Sequence, residues 1–276
     1  MNLVWGALVT IAVTAVAVTA MLLVRRSAPE GSYFSDGDRA SGVFGVLATG
    51  FSVLLGFIVF LAFTSYDESR SGAETEALMI AQQVENAQFF PDDASAKLTG
   101  ELVCYGRLVV NDEWEEMRSG TLGNKLNPWG VELFRTLRGV EPSTAVEQSA
   151  YDKWLDQTSE REAARLDRVH GAVGVIPTQL WIVLFFIAAV IFVYMLFFAD
   201  RAEGVVTQAV LMGSVVSVIV MLFLLLYALD NPFAEGVGGL DPVAMERSLR
   251  IVDEELRALG GQVPIPCGPD GTPVSP

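Results

Sequence analysis

The stretch VFGVLATGFSVLLGFIVFLAFTS, residues 43–65, carries no Asp, Glu, Lys, Arg or His. About 20 apolar residues in a helix cross the hydrocarbon core of a bilayer, so this run reads as a membrane span. Small or weakly polar residues recur along and just before it at Gly42, Gly45, Thr49, Ser52 and Gly56. Their steps of 3, 4, 3 and 4 put them on one helical face. The same phase continues through Val59, Phe63, Tyr66, Arg70, Ala73 and Ala77 as far as Ala87, and no proline intervenes before Pro91. One helix of about 45 residues, near 68 Å at about 1.5 Å per residue, is expected to leave the membrane and enter a soluble domain. Gly72 is its expected weak point. The small face is either a close-packing seam or a pore lining, since small side chains serve both.

Three other runs are as apolar: residues 3–24, 179–199 and 206–228. No basic residue precedes the first, and Arg25 and Arg26 follow it, so it reads as a retained span rather than a cleaved signal. Ala7, Thr10, Thr14 and Ala17 on the first run and Gly213, Ser214 and Ser217 on the fourth form matching seams; the third is bulky all round, as a lipid-facing helix would be. The fold class is therefore all-α: four transmembrane helices, with a small helical extramembrane domain between spans two and three. Residues 1–66 form the first hairpin, 67–177 the helical domain, 178–229 the second hairpin and 230–276 a tail with one helix.

Composition agrees. The chain is 51% hydrophobic and only 18% charged, whereas soluble domains carry about 25% charged residues. Its net charge of −15 excludes a nucleic-acid binder that works by neutralising phosphates. One His and two Cys are too few for a zinc site, and no metal or cofactor is expected. The acid excess is segregated, with −9 in residues 67–177 and −5 in residues 230–276. Four spans place those two segments on the same side of the bilayer. Cys104 and Cys267 lie one in each. A lone pair of cysteines, both facing water, points to a disulfide in an oxidising compartment. Such a bridge closes about 160 residues and is worth on the order of 4–5 kcal/mol in the chain-entropy account. Arg25 and Arg26 favour a cytoplasmic first linker. Both termini and residues 67–177 are therefore expected outside the cytoplasm.

The loop reads as helices over 96–118, over 131–138, and from a cap at Ser143 to about residue 168, with 121–130 a turn region. In the tail, Asp241 and Pro242 open a helix that Gly260 closes, with Met245, Leu249, Val252, Leu256 and Leu259 on one face. The acidic run DEWEE, residues 112–116, offers oxygen ligands but lacks the turn glycine and spacing of a dedicated cation loop. A solvated helix end with Trp114 packed inward is the expected outcome. His170 is a lone residue above the third span. Neither cysteine sits in a nucleophile motif, and phosphate-loop and Gly-x-Ser-x-Gly patterns are absent, so an enzyme is not expected.

An ordered set of residues then stands out: Glu76, Tyr105, Glu113 and Trp114, Arg161 and Arg165, and Pro177 with Trp181. Over roughly residues 42–230 the set resembles the bacterial bestrophin-like domain-of-unknown-function family of multi-pass membrane proteins. The resemblance implies a multi-pass bacterial cell-membrane protein of unassigned activity that forms a homo-oligomer in the lipid bilayer, and the family label suggests an ion channel, here one lined by the second span. Bestrophins themselves are chloride channels with termini and inserted domain in the cytosol. The charge and cysteine pattern here points instead to an outer domain whose acidity concentrates cations. The other function class left open is a non-conducting scaffold or sensor whose outer domain binds a partner.

Overall fold

A computed structural model describes residues 2–121, 126–258 and 263–274. Nine α-helices are present among them: α1 (Leu3–Ser27), α2 (Gly37–Ala87), α3 (Asp92–Leu108), α4 (Trp114–Arg118), α5 (Pro128–Arg138), α6 (Ala145–His170), α7 (Thr178–Phe197), α8 (Val205–Asp230) and α9 (Val243–Ala258). No strand occurs among the described residues, and an isolated antiparallel bridge joins Cys267 to Pro273. Four helices, α1, α2, α7 and α8, are long and apolar enough to cross a membrane. The fold is all-α.

The chain divides into two compact units. The first comprises residues 1–64, 174–230 and 235–239; the second comprises 65–173, 231–234 and 240–276. Helix α2 is continuous for 51 residues, about 76 Å, and supplies residues 37–64 to one unit and 65–87 to the other.

In the first unit, α1 packs along α8. The seam closes where small residues let the backbones approach: the hydroxyls of Thr14 and Ser217 are 2.9 Å apart, and the Thr14 and Val18 side chains lie over Gly213. Ala17 and Met21 meet Met212 and Val216 in a small buried cluster. Ser214 is exposed. A second cluster joins Phe51, Leu55, Ile58 and Ala62 of α2 to Leu184 and Ile191 of α7 and Leu226 of α8. Leu184 and Ile191 are the buried residues of α7, whereas Ile182, Phe185 and Phe186 are exposed. Arg25 ties the end of α1 to the α7–α8 connection, donating from Nε and Nη2 to the carbonyls of Asp200 and Arg201, each at 3.1 Å.

In the second unit, the membrane-like pattern of α2 gives way to an amphipathic one. Ala73, Ala77, Ile80, Val84 and Ala87 join a core with Leu98 and Leu102 of α3, Trp129 and Leu133 of α5, Trp154 of α6, and Met245 and Val252 of α9. Gly72 is not a weak point. A methyl group there would lie 2.6 Å from both the Ala164 carbonyl oxygen and the Arg168 nitrogen, so the glycine lets α6 approach α2 backbone to backbone.

Local sequence explains most of the remaining boundaries. Asn127 caps α5 by accepting from the Trp129 N–H, with Pro128 as first residue, so the helix begins three residues before the expected 131. Thr144, not Ser143, caps α6, accepting from the Glu147 N–H; the Glu147 carboxylate returns to the N–H and hydroxyl of Ser143. The expected helix over 96–118 starts earlier, at Asp92, and is interrupted by a π-helical turn at Val109–Glu113 before α4. On α9, Met245 and Val252 are buried and Leu249 and Leu256 half-buried, while Leu259 and Gly260 fall outside the described residues.

Cys104 of α3 and Cys267 are joined by a disulfide across 163 residues of sequence. The terminal segment lies along α3. Trp129 donates its indole N–H to the Gly271 carbonyl at 2.7 Å, and a side chain at Gly271, which has a φ of +82°, would collide with the Leu108 backbone.

Candidate functional site

Two features invite a functional reading, one in each unit. The first is the small face of α2. Gly42, Gly45, Thr49, Ser52 and Gly56 are all exposed, and a methyl group at Gly42, Gly45 or Gly56 would meet no atom within 4 Å. The intramolecular contacts of α2 use the adjacent face, Phe51, Leu55, Ile58 and Ala62, one residue out of phase. The small face is therefore no seam within the chain. Ser52 turns its hydroxyl back to the Ala48 carbonyl, which hides a polar group that lipid could not satisfy. Beside it, a groove of about 490 Å³ is lined by Ala48, Ser52 and Gly56 of α2 with Ile191 of α7 and Ser214 and Val218 of α8.

The second feature is a buried ion cluster centred on Arg168, which is fully buried. Its Nε donates to Glu76 Oε2 at 2.5 Å, and its Nη2 donates to Glu76 Oε1 at 3.1 Å and to Glu113 Oε2 at 2.7 Å. The guanidinium also lies 5.7 Å from the centre of the Trp114 ring. Tyr105 donates its hydroxyl to Glu76 Oε1 at 2.6 Å, and Arg165 donates to Glu113 Oε1 at 3.2 Å. The same Glu113 oxygen accepts from the Asn127 amide at 3.0 Å. Arg161 stacks over the Tyr105 ring at 4.9 Å and donates to Gln83 Oε1 at 2.8 Å. Gln83 in turn donates to Thr158, and Asn86 to Gln157.

The π-helical turn builds this site. In an uninterrupted helix, Asp112 would follow Tyr105 on the same face after two turns. One extra residue in the turn passes that place to Glu113 and swings Trp114 inward, where its indole N–H donates to the Leu240 carbonyl at 3.1 Å. The run 112–116 is thus not one solvated face: Glu113 is buried, Glu115 is exposed. Among the described residues no group of three or more His, Cys, Asp or Glu could hold a metal.

Electrostatics fix the protonation states. Burial pushes the Glu113 carboxyl up, but the guanidiniums of Arg168 and Arg165 outweigh it and hold the group below its ordinary range. Burial opposes the charge on Arg168, and Glu76 and Glu113 overcome it, so its pKa is raised. Burial, reinforced by Glu76, raises the Tyr105 phenol, which stays a neutral donor. The cluster is a charged, hydrogen-bonded lock between α2, α3, the π turn and α6, not an acid–base pair poised to exchange a proton.

Six residues of the ordered set, Glu76, Tyr105, Glu113, Trp114, Arg161 and Arg165, come together here. Pro177 and Trp181 do not: Pro177 precedes α7, its carbonyl accepting from Leu180 and Trp181, and Trp181 packs against Phe185 and Phe223 in the first unit. The central residue, Arg168, was missing from that set. Its signal was the helical spacing of Arg161, Arg165 and Arg168, one basic stripe on a helix whose other buried positions include Trp154 and Gln157. His170 is exposed.

Among solved structures, the chain resembles a bacterial bestrophin homologue from Klebsiella pneumoniae carrying an isoleucine-to-threonine substitution, at 14% identity and a TM-score of 0.69, over 88% of this chain and 98% of that one. The same organism's homologue with a leucine-to-threonine substitution matches at 14% identity and a TM-score of 0.64, over 94% of this chain and 99% of that one. A membrane protein with a proline-to-alanine substitution matches at 14% identity and a TM-score of 0.67, over 92% and 99%. At such identities the likeness concerns the fold. No curated protein matches the sequence. Residues 8–239 match the Bestrophin-like domain, and on that match, which covers most of its length, the chain belongs to the bestrophin-like family of membrane proteins.

Proposed function

We propose that this protein is an oligomeric ion channel whose conduction path is lined by α2, and that it has no catalytic role. The carrying observation is the small face of α2, which lies exposed and unpacked within its own chain while the neighbouring face makes the intramolecular contacts. Exposed glycines and hydroxyls give a lipid-facing helix no advantage, whereas a second copy or a water-filled path uses both. Family membership and the fold shared with bestrophin homologues support the same reading. The absence of charged residues in the four runs argues against a proton relay or voltage sensor.

The second unit and both termini lie outside the cytoplasm in this proposal. The Cys104–Cys267 disulfide suits an oxidising compartment, and Arg25 and Arg26 suit a cytoplasmic first linker. The net charges of −9 and −5 on the loop and tail favour cations near the protein.

Both native cysteines are consumed by the disulfide, so a cysteine introduced at Gly45, Thr49, Ser52 or Gly56 is the sole free thiol. In reconstituted bilayers, water-soluble thiol reagents should modify these positions and block conductance. Oligomeric state in nanodiscs should exceed one. Uniform protection with no conductance would replace the channel with the scaffold reading. Orientation is tested separately: after reduction, a membrane-impermeant thiol reagent should label intact cells, and labelling only after lysis would reverse the assignment.

A further inference from the structure

Within the second unit, α5 and α6 border a cleft of about 470 Å³, within the roughly 300–1,000 Å³ of small-molecule sites. Its walls are apolar, with Phe134, Leu137, Leu155 and Leu166 prominent, and Phe134 is 63% exposed. Arg161 and Arg165 line it together with Asn127 and Thr158. Arg161 is only 2% exposed, makes no ion pair among the described residues, and leaves its Nε–H without an acceptor. The Nε–H of Arg165 is also without one. Within the cluster beneath, three guanidiniums, Arg161, Arg165 and Arg168, meet two carboxylates, Glu76 and Glu113, an excess of one positive charge there. Buried Glu101, one turn along α3 from Tyr105, accepts from Thr136 and lies 4.0 Å from Lys97 instead. Glu162 is the acidic residue on the rim, and it is exposed.

A buried guanidinium without a carboxylate partner is costly, and the cost falls when an anion arrives in matching geometry. We propose that the cleft binds a small monocarboxylate with an apolar body, its anionic group on Arg161 and Arg165 and its body against Phe134, Leu155 and Leu166. The excess of one positive charge favours a single carboxylate over a dianion. The apolar walls favour an acyl or similar chain over a hydrophilic acid. The site uses no residue of the small α2 face, so it holds or fails independently of conduction.

The test uses the full chain in nanodiscs, titrated calorimetrically with octanoate, with empty nanodiscs subtracted for partition into lipid. Octanoate should bind saturably, and neutral octanamide at least about tenfold more weakly, since it lacks the charge-assisted bonds. Arg161→Gln should abolish binding and Arg161→Lys should retain part of it. Because Arg161 is buried, its removal could unfold the unit, so exposed Phe134→Ala provides the second variant. It should weaken octanoate severalfold with unchanged thermal unfolding. Heats equal to those of empty nanodiscs, equal affinity for octanamide, or indifference to Phe134→Ala would each overturn the site. So would efficient oxidative cross-linking of Phe134→Cys between copies, which would make the cleft a subunit contact.

Discussion

Arg168 bridges two carboxylates from different parts of the chain, Glu76 on α2 and Glu113 at the end of the π turn; Arg168 and Glu76 are shut off from bulk water and Glu113 nearly so. Removing one member of such a cluster strands the others, which typically costs about 3–5 kcal/mol. Arg168→Met should therefore lower the thermal stability of the second unit by that order in detergent-solubilised protein. Arg168→Lys should recover only part, because an ammonium cannot reproduce the forked contact with Glu76. The acid limb of stability belongs to the same residues. Glu113 titrates below its unfolded value of about 4.3, so the folded state binds fewer protons there than the unfolded state. Its contribution is present above about pH 4.3 and is lost as pH falls through the lower folded value. Melting curves between neutral pH and pH 3 should show this loss, and Glu113→Gln should flatten it while lowering stability at neutral pH. An unchanged acid limb in Glu113→Gln would assign the dependence to other carboxylates.

At the scale of elements, α2 follows two rules in one helix. Over residues 43–65 uncharged side chains occupy every side, whereas beyond residue 65 the apolar side chains concentrate on a narrow buried face. Gly72 belongs to the second regime. Gly72→Ala should force α6 away from α2 and cost about 1–3 kcal/mol, as overpacking does. Gly130→Ala on α5, where a methyl would meet nothing within 4 Å, should be neutral or stabilising. Melting temperatures of the two variants distinguish a close crossing from a general intolerance of glycine replacement. The π turn is the other element-level device. Deleting Asn111, exposed within the turn, removes the extra residue and leaves Glu113 seven positions after Tyr105, so a regular helix should keep Glu113 on the Tyr105 face and melt well above Glu113→Gln.

For the molecule as a whole, the Cys104–Cys267 disulfide closes 163 residues and fastens the terminal segment along α3. In the chain-entropy account this is worth about 5 kcal/mol. Reduction should lower the melting temperature of the second unit without dissolving the contact of α1 with α8, whose packing does not involve it. Far-ultraviolet dichroism with and without reductant, alongside protease sensitivity of the tail, reads the two separately. Loss of all helical signal on reduction would show that the units do not respond separately to the bridge.

The four membrane helices, the helical loop and the long α2 were legible in the sequence because they follow from hydrophobic length and period, which are local properties. The cysteine pair could be read too, because span counting alone puts both residues on one side. The ordered set from Glu76 to Arg165 marked six of the residues that meet in the second unit. What stayed hidden was the role of Arg168, whose buried position depends on two carboxylates distant in sequence, and the inward turn of Glu113, which depends on one extra residue in a π turn. Gly72 was misread for the same reason: helix propensity is local, but the crossing of α6 that makes glycine necessary is not. The small face of α2 was visible as a stripe, yet only tertiary packing showed that the chain leaves it uncovered, because a helical face one residue out of phase takes the intramolecular contacts.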